Sequence, residues 1–286
     1  MNPTLRAAIW MSGAIVSFTS MAVAGRMLAS GLDTFEIMLY RSLAGVVVVL
    51  GLARLTGTLG EIRTDRLGLH LLRNIAHFTG QNLWFLAIAL IPLAQVFALE
   101  FTSPIWAIFL AVPVLGERLT RVRLLAALVG FAGIVIITRP WQASLGPGVI
   151  AAALAAVGFA GSAVFTRRLT RSTSTTGILF WLTAMQSAFA LVCAGYDGDI
   201  ALPERAALPW LAVVSLGGLV AHFCLTKALA LAPAAVVVPI DFLRLPLVAL
   251  VGMVLFGEPV QGAVLIGAAL IFLANHANIR SETRRR

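Results

Sequence analysis

The stretch LFGEPVQGAVLIGAALIF at 255–272 matches an earlier one, VLGERLTRVRLLAALVGF at 114–131. In both, an apolar run closes on Gly-Glu and a second apolar run begins. Glu117 and Glu258 stand 141 positions apart. The same offset pairs Pro92 with Pro233, Phe101 with Phe242, Gln81 with His222 and Glu100 with Asp241. The chain therefore reads as two copies of one unit, 1–141 and 142–286.

Outside this stretch the composition points the same way. Of 286 residues, 60% are hydrophobic and 12% charged, and the mean hydropathy is +0.96. A soluble domain needs about twice that charge. Apolar runs long enough to cross a ~30 Å hydrocarbon core recur throughout. Ten spans are expected, at roughly 7–29, 34–53, 68–90, 93–114, 121–138, 147–167, 175–195, 207–230, 233–256 and 261–279, with ends good to about 2–4 residues. The first has signal-peptide features around Ala22 and Ala24 but reads as an uncleaved helix, because similar spans follow.

The net charge is +9, and a single lysine stands among the 21 basic residues. With the N-terminus inside, the cytoplasmic segments collect Arg6, then Arg54, Arg63 and Arg66, then Arg118, Arg121 and Arg123, then Arg167, Arg168 and Arg171, then Arg280 and the terminal Arg284–Arg286. The opposite side holds Arg26, Arg139 and Arg205. This bias predicts both termini in the cytoplasm and a place in the cell's inner membrane. The basic balance thus belongs to membrane orientation and not to nucleic acid. Five spans per copy is an odd number, so the two copies insert upside down relative to each other. Such inverted repeats are a mark of secondary transporters.

Gly116-Glu117, Gly257-Glu258, FEIMLYRSLAG at 35–45 and ALIPLAQVFALEFTSPIWAIFLAVPVLGE at 89–117 resemble the drug/metabolite transporter superfamily, EamA type. The resemblance covers essentially the whole chain. Within the superfamily the sequence is most similar to exporters of aromatic amino acids. It implies an all-α membrane protein of two inverted five-helix repeats. It also implies a central cavity lined by spans one, three, four, six, eight and nine, and alternating access by rocking of the halves. The second half departs from the pattern: Pro246 lies one position late relative to Pro104, and Leu182 stands where the first half has Arg41.

Polar residues inside the apolar runs are the candidate site. Asn74, His77 and Gln81 lie on one face of span three, where they either line a pore or bond helix to helix. His77 is also a candidate proton carrier. Pro104 withholds an N–H from the carbonyl of Glu100, and Pro246 does the same for Phe242 beside Asp241. Each acid then has two readings. It receives a cation or proton from substrate, or it forms an ion pair, Asp241 with Arg244 and Glu100 with Arg41. Phe78, Phe101, Phe159, Ser162 and His222 complete the expected substrate-binding set. The glutamates of the Gly-Glu copies read as cap residues, and Cys193 and Cys224 as inert packing.

The expected function is secondary export of small amphipathic metabolites, aromatic amino acids foremost. Carriage of other amino acids, nucleosides or drugs is the alternative. No HExxH, GxSxG or nucleotide-binding motif argues for an enzyme or for ATP drive. No cofactor and no metal are expected. The partners are a small-molecule substrate and the lipid bilayer, and the working unit is expected to be a monomer.

Overall fold

The computed structural model describes residues 3–116, 121–139, 145–231, 240–241, 243–259 and 261–283. Every long element among them is an α-helix, and none is a strand. In chain order these are α1 (Pro3–Leu28), α2 (Thr34–Leu55), α3 (Leu67–Leu90), α4 (Leu93–Glu100), α5 (Ser103–Leu115), α6 (Arg121–Thr138), α7 (Pro147–Leu169), α8 (Thr175–Ala194), α9 (Leu208–Leu231), α10 (Arg244–Phe256) and α11 (Gly262–Thr283). A short 3₁₀ turn at Leu59–Glu61 joins α2 to α3.

Among the described residues, six stretches are long and apolar enough to cross a membrane: Leu5–Leu28, Thr34–Leu55, Leu93–Leu115, Pro147–Leu169, Thr175–Ala194 and Leu208–Leu225. The α3 helix is as long, with 24 residues, but buries Arg73, Asn74, His77, Gln81 and Asn82. Three shorter apolar helices, Leu124–Thr138, Arg244–Phe256 and Gly262–Ala277, complete ten rods among the described residues. This is a multi-pass helical membrane protein.

The ends of the rods follow from their residues. Asp33 accepts the N–H of Glu36, and the Glu36 carboxylate accepts that of Asp33, a reciprocal cap on α2. Gly116 and Gly257 both adopt positive φ, 71° and 64°, and close α5 and α10. A left-handed residue after a helix is easiest for glycine, so the repeated Gly-Glu pair has one backbone meaning in its two places.

Span four differs from the single helix expected. It breaks after Glu100, and Phe101 and Thr102 form a tight turn before α5. The freed acceptors are taken locally. Ser103 Oγ donates to the Glu100 carbonyl at 2.6 Å, and Asn275 Nδ2 of α11 donates to the Phe101 carbonyl at 3.0 Å. Pro104 thus starts a new helix, and the Glu100 carbonyl is not left open toward a cation. The corresponding reading of Pro246 concerns the Phe242 carbonyl, which lies outside the described residues.

The rods pack in matched sets. The most extensive contacts are α1 with α9 and α3 with α7, and α2 packs on α8, α6 on α11 and α4 on α10. Exchanging the first five rods with the last five returns this same list. Small residues permit the closest approaches. At the α3–α7 crossing, a Cβ on Gly158 would meet the Gly80 Cα at 2.7 Å.

Candidate functional site

Arg244, at the start of α10, is the centre of a charged cluster. Its Nη2 lies 3.1 Å from Asp241 Oδ2 and 3.3 Å from Glu100 Oε1. Trp84 Nε1 donates to the other Glu100 oxygen at 2.8 Å. The guanidinium also sits against three aromatic faces, Phe18 at 4.8 Å and Phe97 and Phe101 at 5.0 Å each. Only 4% of Arg244 is exposed. Rings and carboxylates replace part of its water, while its buried Nε finds no acceptor among the described residues; a desolvated cation–π contact contributes about 2 kcal/mol or more. The expected Asp241–Arg244 pair is present. The expected Arg41–Glu100 pair is not, because Glu100 reaches across to Arg244 of the other half.

Arg41 lies elsewhere. Together with Gly45, Thr183, Gln186, Ser215 and His222 it lines a cavity of about 160 Å³ between α2, α8 and α9. His222 is the one member of the expected substrate-binding set on its wall. Phe18 joins the cavity to the charged cluster, since its ring meets that of His222 edge-on at 5.4 Å and also carries the Arg244 guanidinium over its face.

The polar stripe of α3 is engaged with neighbouring helices. Asn74 is fully buried. It donates to the Trp181 carbonyl at 3.0 Å and to Met185 Sδ at 3.3 Å, and accepts from Arg73 Nη1 at 2.9 Å. His77 Nδ1 lies 3.3 Å from Ser162 Oγ of α7, and its ring faces Phe159 at 6.0 Å. Phe78 meets Phe35 and Phe189, and Gln81 is buried. For Asn74 the geometry is that of a bond between helices.

Sequence reading missed two features and left the partners of a third unassigned. One is Phe97, one α-helical turn before Phe101 on the same cage. Another is the cavity wall of α8, signalled only by Thr183 and Gln186 inside an apolar run. The third is Glu258, which pairs with Arg26 and accepts the Leu93 N–H at 2.8 Å. Arg26 also donates to the carbonyls of Ile88 and Ile91 and lies over the Phe256 ring. The cap role expected for Glu258 holds, but the helix it caps is α4, in the other half. Glu117 lies outside the described residues. No group of three or more metal-ligating side chains occurs among the described residues.

The EamA-like transporter family model matches residues 5–139 and 146–275. A riboflavin transporter of Rhizobium johnstonii is 36% identical over 79% of this chain and 75% of that protein. A riboflavin transporter of Vibrio cholerae is 29% identical over 98% and 95%. An S-adenosylmethionine uptake transporter of Rickettsia bellii is 26% identical over 96% and 94%. A solved crystal structure of a protein, 21% identical, covers 98% of both chains with a TM-score of 0.64, a likeness of fold. The names of these relatives speak of riboflavin and S-adenosylmethionine. They give no support to the aromatic amino acid export expected from sequence.

Proposed function

We propose that this chain, which belongs to the EamA-like transporter family, is a secondary carrier of a planar heteroaromatic metabolite of the riboflavin kind. The similarity to riboflavin transporters carries the substrate reading. The cavity beside Phe18, His222 and Arg41 supports it chemically, because it offers aromatic edges and polar groups in one place. The matched packing supports two inverted repeats, 1–141 and 142–286, that rock about the centre to give alternating access. The arginine distribution supports both termini on the cytoplasmic side. Reporter fusions active only outside the cell would reject that orientation.

The direct test is transport by the purified full chain in sealed vesicles. Labelled riboflavin is expected to accumulate or leave faster than from protein-free vesicles, while phenylalanine and tryptophan move at the background rate. Movement of an aromatic amino acid but not of riboflavin would overturn the substrate reading and leave the carrier reading in place.

A further inference from the structure

Arg41 stands inside a membrane span with no carboxylate at its guanidinium among the described residues. Its Nη1 has the Met38 thioether at 3.6 Å, a weak acceptor. Its Nη2 crosses Gly218 of α9 so closely that a Cβ there would meet it at 2.9 Å. The missing side chain of Gly218 leaves the guanidinium room to reach the cavity between α2, α8 and α9. Gln186 enters the same cavity from α8. It is 3% exposed, and its Nε2 makes no hydrogen bond among the described residues. No aspartate or glutamate lines the cavity. The two acids of the neighbouring cluster, Glu100 and Asp241, are both held by Arg244.

A half-buried guanidinium inside a membrane span with only a thioether acceptor, beside a buried amide N–H without an acceptor among the described residues, is costly unless something fills the cavity. Their complement is an oxyanion, which takes a planar fork and a second donor together. We propose that this cavity is an acid-group subsite: Arg41 and the Gln186 amide receive a carboxylate or phosphate carried by the transported molecule. The inference rests on the carrier reading above and adds to it a preference for a planar substrate that carries an acid group. The size agrees. A cavity of about 160 Å³ is close to one that holds a benzene ring, so it takes an acid group and its first atoms, not a whole three-ring molecule. The planar remainder lies toward Phe18 and His222.

Binding to the purified full chain in detergent tests this, with riboflavin, riboflavin 5′-phosphate and inorganic phosphate as probes. The wild type is expected to bind riboflavin 5′-phosphate about tenfold or more tightly than riboflavin, the gain of one charge-assisted contact. Arg41→Gln is expected to erase that difference. Gly218→Ala keeps the charge but crowds the guanidinium, and is expected to reduce it. Equal binding of the two flavins by the wild type overturns the subsite, and this comparison needs no variant to fold. If neither flavin binds but phosphate raises the melting temperature of the wild type and not of Arg41→Gln, the flavin reading fails and an anion subsite stands. If riboflavin is transported and no anion distinguishes wild type from Arg41→Gln, the subsite fails and the flavin reading stands. Stabilisation by phosphatidylglycerol alone, lost in Arg41→Gln, would assign the cavity to a lipid headgroup and overturn the substrate role.

Discussion

Arg244 holds two carboxylates, so its three charges are not equally expendable. Removing Arg244 leaves Glu100 and Asp241 facing each other without a cation. Losing one partner of a buried pair costs about 3–5 kcal/mol in soluble proteins. Removing Glu100 as Gln leaves Asp241 with Arg244 and keeps an acceptor for Trp84. The loss is then one charge-assisted contact, about 1.5–3 kcal/mol. Thermal unfolding of the purified variants should therefore rank Arg244→Gln well below Glu100→Gln. Equal loss in the two would mean that the cluster is not shared as described. Part of this cluster was legible in the sequence, since Asp241 and Arg244 are three residues apart and must share a helical face. Glu100 was not assignable to Arg244, because the contact joins the two halves. The repeat relates Glu100 to Asp241 but says nothing of which charges meet.

Helices were legible because hydropathy and punctuation are local properties. The break inside span four was not. Pro104 signalled a disturbed carbonyl, but whether a helix bends or stops depends on who satisfies that carbonyl. Here Ser103 satisfies it from next door and Asn275 satisfies its neighbour from α11, and neither contact shows as a pattern. Helix crossings have the same character. Span six, with GVIAAALAAVGFAGSAVF at 148–165, is rich in small residues, yet only the structure shows that Gly158 meets Gly80 with no space for a methyl group. Gly158→Ala must push α3 from α7 or force its neighbours aside. Overpacking of this kind costs about 1–3 kcal/mol, so the variant should melt lower than the wild type. Ala at Gly51, where nothing lies within 4 Å, should not. Equal melting of the two would show that the crossing has slack.

At the scale of the molecule, one ion pair binds four helix ends. Arg26 ends α1, takes carbonyls at the end of α3, and meets Glu258 beyond α10; Glu258 in turn caps α4. Three of these ends belong to the first half and one to the second, so the pair closes that end of the bundle across the two halves. The 141-position offset carries Arg26 to Arg167 and Glu258 to Glu117. The inverted repeats proposed above would put the second pair of positions at the opposite end; Glu117 itself lies outside the described residues. Alternating access requires that one end open as the other closes. A matching Arg167–Glu117 contact would bias the carrier in the direction opposite to the Arg26–Glu258 pair. Glu258→Gln should favour the state open at the Arg26 end, and Glu117→Gln the state open at the Arg167 end. A shift of tenfold in the balance needs only about 1.4 kcal/mol of differential stability, within what one such pair supplies. Single cysteines placed near Leu28 and near Leu169, on a background lacking Cys193 and Cys224, report the balance through their labelling rates with a water-soluble maleimide. Glu258→Gln should raise labelling at the first position and lower it at the second, and Glu117→Gln the reverse. Labelling that moves the same way in both variants would show that the pairs stabilise the fold without setting which end is open.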